Sequence, residues 1–410
     1  MNKSKYILMS LFTFIFLSCE FLFVDIISLT TKGIDVVNAQ NYVLGSSVLG
    51  FFLYSFIDKH KSIYIVTCIL SLISFIFVIN LDTYISILIS GLLLFLFLGI
   101  LGGASYYKSI CDSATVVGVS YMCGTLVQFI VNYLSIEIYA IPVCLVLLSI
   151  YLFKTNIDEM ILVKKDTKQL SIILILLVSL LTIVFSTLDN AVTIYHANKV
   201  LDIGRWPRLL LAFSALLAGF LYDIRSRKYM SIIIYCVMVL STICLLVNEL
   251  LGLIIFYLSV GFFAVFFTSV FLELAPYTNR PKLYAGMGRA INNLVAILIS
   301  NLSLNLLSSG NKLLIISIEL ILFVFTSILT FVYTNKYKLF IESSDNQVKE
   351  YDLTPREREV LNLLISSDDK LQEIADKLNI SKRTLERYIT SIYKKTNTTS
   401  RVGLISLFKK

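Results

Sequence analysis

Apolar runs of roughly twenty residues follow one another along most of the chain, and short polar segments separate them. A helix needs about twenty apolar residues to cross the hydrocarbon core of a bilayer. The pattern therefore predicts an all-α, polytopic membrane domain at residues 1–334. We place its twelve transmembrane helices at residues 6–30, 42–57, 62–80, 84–107, 114–134, 137–153, 169–190, 207–222, 229–247, 251–275, 285–306 and 313–334.

The distribution of basic residues gives an independent check on this arrangement. With the N-terminus inside, the cytoplasmic loops and span ends hold seventeen Lys and Arg residues, Arg289 among them, and the other side holds five, including Arg208. Cytoplasmic loops of membrane proteins are enriched in Lys and Arg. We therefore expect a multi-pass protein of a bacterial plasma membrane, with both termini in the cytoplasm.

The membrane segment also carries signs of an internal repeat. A basic loop at residues 154–168 separates six spans from six, and Asp25 and Asp189 lie near the outer ends of the first and seventh spans. Gly-Phe-Leu-Tyr-Asp at 219–223, with Arg-Lys at 227–228, resembles the loop motif of the major facilitator superfamily. That resemblance implies two six-helix halves around the central loop.

We take five polar residues inside the predicted spans or at their ends as the candidates for ligand contact. They are Glu20 and Asp25 in the first span, Asp189 in the seventh, and Asn292 and Asn293 in the eleventh. An ionisable group inside a membrane is costly and usually faces a cavity or a partner. Hydrogen bonds between helices explain the same residues equally well, and Asp25 also suits the outer interface. We expect an apolar or amphipathic ligand, and the sparse charges inside the membrane favour a sensor of that ligand over a transporter.

A different pattern begins after a polar linker at residues 335–351 and fills residues 352–410. Thr354 suits the cap of a helix, Pro355 its first position, and Glu357 completes a capping box three residues after the cap. Further helices are predicted at residues 371–378, 382–395 and 402–408, with a turn at 379–381. Ala375 and Ile380 provide the small residue and the apolar plug that a helix-turn-helix needs.

This region resembles the LuxR-type helix-turn-helix family. The resemblance rests on Leu-Thr-Pro-Arg-Glu-Arg-Glu-Val-Leu at 353–361, Glu-Ile-Ala at 373–375, Leu-Asn-Ile-Ser at 378–381, Thr384, Tyr-Lys-Lys at 393–395 and Ser-Arg at 400–401. It implies a four-helix domain that places its third helix in the major groove of double-stranded DNA and forms a homodimer through its fourth helix. Three features depart from the family: Glu386 on the groove face, Ser-Asp-Asp-Lys at 367–370, and Asn397.

The third helix supplies the candidate DNA-binding residues. They are Ser381, Lys382, Arg383, Thr384, Glu386, Arg387, Thr390, Lys394 and Lys395. Basic side chains neutralise phosphates, and side chains on the groove face read base edges. The alternatives are a solvated charged face and, for Glu386, a surface pair with Arg383 or Thr390.

The sequence offers no sign of an enzyme, a cofactor or a metal site. Its seven cysteines lie in or near spans without metal-ligand spacing, and His60 and His196 are isolated, which is typical of loop residues. Residues 16–19, Phe-Leu-Ser-Cys, resemble a lipoprotein signal that ends at Cys19. Cleavage there would remove a span and break the agreement between the topology and the tail.

Two function classes fit these features. In the first, the membrane bundle senses a small-molecule ligand and the tethered domain regulates transcription. In the second, the bundle transports a small solute and the tail is regulatory. A regulator that responds to no ligand is a third possibility.

Overall fold

We describe a computed structural model of the chain, which covers residues 3–57, 61–110, 113–155, 167–200, 202–224, 230–245, 247–350, 353–366, 369, 371–396, 398 and 400–408. Several predicted features lie outside these residues, namely His60, most of the basic loop 154–168, the basic residues 225–228, Asn397 and three of the four residues of 367–370. Contacts divide the chain into two compact units, one ending at Tyr333 and one beginning at Thr334.

The membrane unit is an all-α bundle. Its helices are α1 (Lys3–Ile27), α2 (Ile34–Tyr54), α3 (Ser62–Asn80), α4 (Tyr84–Lys108), α5 (Ala114–Tyr133), α6 (Glu137–Lys154), α7 (Lys168–Ala197), α8 (Trp206–Ile224), α9 (Met230–Leu245), α10 (Glu249–Leu274), α11 (Pro281–Ser309) and α12 (Lys312–Glu350). Among the described residues, nine helices are long and apolar enough to cross a membrane. The remaining three are α2, α8 and α9, and α9 has 16 residues. The predicted fold class, a twelve-span bundle in two six-helix halves, is confirmed.

Helices α2, α7 and α12 are longer than predicted because polar residues interrupt apolar runs without ending the helices. Helix α12 continues to Glu350 rather than ending at residue 334, so it includes the predicted linker up to that residue. The helix α2 begins at Ile34 rather than at residue 42, and α7 continues to Ala197 rather than ending at residue 190. Gln40 and Asn41 of α2 are buried, as are Thr193 and His196 of α7. These side chains point into the bundle and have hydrogen-bond partners there, so the helices continue through them.

The two halves meet through two helix pairs that are equivalent under the repeat. Helix α5 of the first half packs on α8 of the second, and α11 of the second packs on α2 of the first. In the first pair a Cβ atom on Gly118 would lie 2.5 Å from the carbonyl oxygen of Ala215, so only glycine permits this approach. Close approach at small residues is the usual way in which membrane helices associate.

One end of the bundle is held by contacts to helix termini. The Asp223 carboxylate of α8 accepts hydrogen bonds from the Ala114 amide (2.8 Å), the Thr115 amide (2.9 Å) and the Ser113 hydroxyl (2.6 Å) at the start of α5. A carboxylate at a helix N-terminus is favourable because amide N–H groups there lack partners. The Asp223 of the facilitator-like motif thus joins the two halves.

The second unit contains a compact four-helix domain. Its helices are α13 (Pro355–Ser366), α14 (Leu371–Lys377), α15 (Lys382–Thr396) and α16 (Arg401–Phe408). The buried apolar residues that form its core are Leu353, Val360, Leu361, Leu364, Ile374, Ala375, Leu385, Ile389, Ile392 and Leu404. The predicted capping box is confirmed: the Thr354 amide donates to Glu357 Oε2 (2.7 Å) and the Glu357 amide to Thr354 Oγ1 (3.3 Å).

Candidate DNA-binding surface and transmembrane cavity

The turn between α14 and α15 has the geometry that a helix-turn-helix requires. Asn379 adopts a positive φ of 52°, and the Ile380 amide donates to the Ala375 carbonyl at 3.0 Å. Ala375 is fully buried, and Ile380 packs against the same core. Arg356 of α13 also donates to the Leu378 carbonyl at 2.7 Å. The turn therefore fixes the direction in which α15 leaves the core.

Helix α15 is strongly two-sided. Leu385, Ile389 and Ile392 pack into the core. The opposite face exposes most of the predicted DNA-binding residues, which are Lys382, Arg383, Glu386, Arg387, Thr390 and Lys394. Positions 383, 387, 390 and 394 follow a spacing of three and four residues and so form one stripe along the helix. Three of the four residues of this stripe are basic, and all four are exposed.

The start of α15 is capped by two further predicted DNA contacts. The Ser381 hydroxyl accepts a hydrogen bond from the Thr384 amide at 3.1 Å, and the two hydroxyl oxygens lie 2.8 Å apart. A serine N-cap stabilises a helix by satisfying one of its free amides. Ser381 and Thr384 therefore position the helix whatever else they contact.

Lys395 has a role inside the domain that the sequence did not reveal. Its Nζ lies 2.8 Å from Glu357 Oε2, and Glu357 Oε1 accepts from the Ser391 hydroxyl at 2.5 Å. The Glu357 side chain is only 5% exposed. Burial raises the pKa of this carboxyl, but the bonds from Lys395, Ser391 and Thr354 outweigh it and lower the pKa to about 2. Glu357 thus ties α13 to α15.

Glu386, the departure from the family, has no side-chain partner among the described residues. The Thr390 hydroxyl donates to the main-chain carbonyl of Glu386 at 2.9 Å, which leaves the carboxylate uninvolved. No ion pair with Arg383 occurs in the described part of the domain. The carboxylate of Glu386 is therefore exposed to solvent beside the basic stripe.

A cavity lies between the two halves of the membrane unit. It is lined by residues of α1, α2, α5, α7, α8, α10 and α11. Water molecules can be placed in a volume of about 90 Å³ inside it. That space is enough for several waters or a small solute. Four of the five predicted intramembrane candidates line it: Glu20, Asp189, Asn292 and Asn293.

Amides and hydroxyls of both halves form a hydrogen-bond network around this cavity. Gln40 donates to Glu20 Oε1 at 2.8 Å and accepts from the Thr193 hydroxyl at 2.9 Å. On another side, Asn293 donates to the Ser47 hydroxyl at 2.9 Å, and the Asn292 amide donates to Asn293 Oδ1 at 3.2 Å. Glu20 and the two asparagines therefore have structural partners as well as access to the cavity.

Two arginines of the cavity were assigned to the span ends in the sequence, and that assignment is wrong. Arg208 and Arg289 both line the cavity. The Arg289 guanidinium lies between two aromatic rings, 4.9 Å from the centroid of Phe16 and 5.6 Å from that of Phe267. One arginine leaves each side of the charge count, so its asymmetry remains. A single arginine inside an otherwise apolar run was the feature of the sequence that could have identified each of them as a cavity residue.

Asp25, the fifth candidate, is not part of the cavity lining. Its carboxylate lies 3.0 Å from His196 Nε2, and it is 45% exposed whereas His196 is 8% exposed. The interpretation of His196 as a loop residue is wrong, because it belongs to α7 and stacks near Phe21. This pair links α1 to α7.

The sequence analysis also missed Glu319, although a single acid in the apolar run of α12 was visible. Glu319 is 5% exposed and accepts a hydrogen bond from the Thr242 hydroxyl of α9 at 2.8 Å. It lies outside the cavity lining. Among the described residues its Oε2 atom has no partner, and no cluster of His, Cys, Asp and Glu suited to a metal occurs.

Comparison with known proteins distinguishes the two units. Residues 352–408 match the family described as "Bacterial regulatory proteins, luxR family". The crystal structure of the human organic anion transporter MFSD10 (TETRAN) superposes with a TM-score of 0.58 at 10% identity, covering 80% of this chain and 98% of that one. A mutant of the nucleoside transporter NupG gives 0.51 at 14% identity, covering 81% and 98%. Curated protein sequences give no match.

At these identities the structural likeness establishes the fold of the membrane unit, while the family match establishes the C-terminal domain. Such a domain implies DNA as a partner, and the apolar helices imply a lipid bilayer. The chain is a multi-pass membrane protein that joins a LuxR-type helix-turn-helix domain to a bundle with the major facilitator fold.

Proposed function

We propose that this chain is a membrane-embedded transcriptional regulator, which binds DNA through α15 and responds to a small ligand in its transmembrane cavity. The observation that supports this most is the exposed basic stripe on α15, on a domain whose core and caps are complete. Neutralisation of DNA phosphates by such basic side chains contributes most of the nonspecific affinity. The cavity in the same chain gives the ligand a place to act.

The DNA-binding role is tested with the fragment 351–410, which contains the whole C-terminal core. Replacing Lys382, Arg383 and Lys394 by alanine should weaken binding to all duplexes and flatten its salt dependence. Lys395 stays unchanged in this variant because its pairing with Glu357 would confound binding with stability. A triple variant that binds like the parent would refute the assignment of this surface to DNA.

The sensor role competes with transport, because the similar solved structures are transporters for organic anions and for nucleosides. A sensor needs only differential binding between two states of the bundle, whereas a transporter must move its solute across the membrane. Vesicles that contain the purified chain separate the two. Uptake of the solute into these vesicles, above the uptake by vesicles without the protein, would favour the transporter with a regulatory tail.

The regulator also requires the DNA-binding domain to be in the cytoplasm of a bacterial cell. We place both termini there, on the strength of the basic residues at the cytoplasmic ends. Reporter fusions after Lys3 and Lys410 should both report the cytoplasm, and a fusion at Tyr195 the opposite side. An outside signal from the Lys410 fusion would overturn the proposal.

Control by dimerisation follows from the geometry of duplex DNA. Two recognition helices must lie about 34 Å apart to read adjacent half-sites. We propose that two chains meet through α16 and that the ligand alters how readily they do so. Cross-linking in membranes with and without the target DNA checks this step.

A further inference from the structure

The charged groups of the cavity are arranged in a way that points to one chemical class of ligand. Two acids, Glu20 and Asp189, and two arginines, Arg208 and Arg289, line the same space. Within the described residues, no ion pair joins either arginine to either acid, and Asp189 has no hydrogen-bond partner. Charged groups inside a membrane are stable only when they are compensated.

The arginines give the clearest sign that a partner is missing. Arg208 is 8% exposed, and its Nε atom is buried with no hydrogen-bond partner in the described part of the chain. The Nε atom of Arg289 is also buried without a hydrogen-bond partner among the described residues, while the rest of its guanidinium bonds to Tyr106 and lies over Phe16 and Phe267. A buried donor without an acceptor is destabilising, and more so when it is charged. An anionic group fits here, since guanidinium pairs bidentately with carboxylates.

The acids and the arginines together disfavour a ligand that carries charge of only one sign. Glu20 and Asp189 repel a purely anionic ligand, and the arginines repel a purely cationic one. A neutral polar ligand supplies no anion for the buried Nε donors of Arg208 and Arg289 and no cation for Asp189. A ligand that carries both an ammonium and a carboxylate compensates both signs at once.

The apolar part of the lining describes the remainder of the ligand. Phe21, Phe185, Phe256 and Leu17 contribute to the same cavity. These rings suit an apolar or aromatic substituent beside the charged groups.

We infer that the cavity binds a zwitterion of amino-acid type with an apolar side chain, its carboxylate on Arg208 or Arg289 and its ammonium on Asp189 and Glu20. This inference rests on the proposed function in taking the cavity as the ligand site, and it names the class of ligand. It also narrows the expectation of an apolar or amphipathic ligand.

The test uses the full-length chain in detergent and the free apolar and aromatic amino acids as probes. Calorimetry should detect binding of at least one of them. The matching amine, which lacks the carboxylate, and the matching acid, which lacks the ammonium, should each bind roughly 10- to 100-fold more weakly. This comparison needs no variant and therefore does not depend on how a substitution affects folding.

Substitutions then locate the site. Arg208→Gln and Asp189→Asn should each weaken binding of the same amino acid roughly 10- to 100-fold. Arg205→Gln is the matched control, because Arg205 is three residues away, 73% exposed and paired with Asp202. It should bind like the parent.

Three results would overturn the inference: no amino acid binds, the amine or the acid binds as well as the zwitterion, or Arg208→Gln and Asp189→Asn bind normally. The assay contains no DNA, so its outcome is separate from that of the proposed function. Binding without any effect on transcription would refute the regulator, while promoter control without zwitterion binding would refute only this inference.

Discussion

The two units of this chain use buried acidic side chains in opposite ways, as two glutamates demonstrate. Glu357 in the DNA-binding domain is 5% exposed and accepts bonds from a lysine, a serine and a main-chain amide. Glu319 in the membrane bundle is also 5% exposed but has one donor, the Thr242 hydroxyl. The donors around Glu357 favour its ionised form, whereas Glu319 has no charged partner among the described residues. Burial alone therefore does not define the role of an acid.

The largest effect is expected at Glu357. In the fragment 351–410, Glu357→Ala should lower the free energy of unfolding by about 2–4 kcal/mol, because it removes the capping box and the hydrogen bonds that Lys395 and Ser391 donate to the carboxylate. Glu359→Ala, on the same helix, removes an exposed pair with Arg356 and should cost about 0–1 kcal/mol. Urea unfolding measures both. Equal losses in the two variants would contradict the role of Glu357.

The same carboxylate predicts how the stability of the fragment depends on pH. The pKa of Glu357 is lowered to about 2 in the folded domain, so its contribution is complete above the ordinary value near 4.5 and is lost as pH falls towards 2. The shift corresponds to about 3 kcal/mol. Urea unfolding between pH 6 and pH 2 (roughly the window that linkage sets) should detect this loss in the parent and not in Glu357→Gln. A loss of the same size in both would assign it to other groups.

A smaller effect is expected for the reading of bases by α15. Arg387→Ala should weaken binding to the preferred site by about 1–3 kcal/mol and relax one position of it, if Arg387 pairs with guanine. Glu386→Lys should raise nonspecific affinity and shift the selected sites, because Glu386 lacks an intramolecular ion pair in the described domain. Selection from random duplexes reads out both. If both variants select the same DNA motif as the parent, Glu386 and Arg387 do not read bases and belong to a solvated charged face.

The smallest effect is expected for Glu319→Gln, the membrane counterpart of the substitutions at Glu357. Glu319→Gln preserves the shape and the acceptor for the Thr242 hydroxyl, so unfolding of the full-length chain should change by less than about 1 kcal/mol. Glu319→Lys puts a long, charged side chain in the same position and should prevent stable insertion. Thermal unfolding in detergent compares the two. A large loss in Glu319→Gln would mean that this acid is ionised and paired in the membrane.

The sequence predicted the two units to different depths for a physical reason. In the DNA-binding domain, the signals are local: the cap at Thr354, the turn at Asn379 and the apolar spacing of α15 fix each helix to within about two residues. In the bundle, apolar runs predicted the helices, but the cavity is formed by residues far apart in the chain. Arg208 and Arg289 come together only through packing, so the sequence placed both at span ends.

The central claim is that one chain couples a transmembrane cavity to promoter control. Genome-wide DNA occupancy of the intact, membrane-bound protein tests it most directly, with Arg387→Ala and Arg208→Gln as companions. We expect discrete promoters to be occupied by the parent, occupancy to fall in Arg387→Ala, and transcription from those promoters to change in Arg208→Gln. Absence of discrete sites for the intact protein, occupancy that is unchanged in Arg387→Ala, or transcription that is unchanged in Arg208→Gln, would contradict the account.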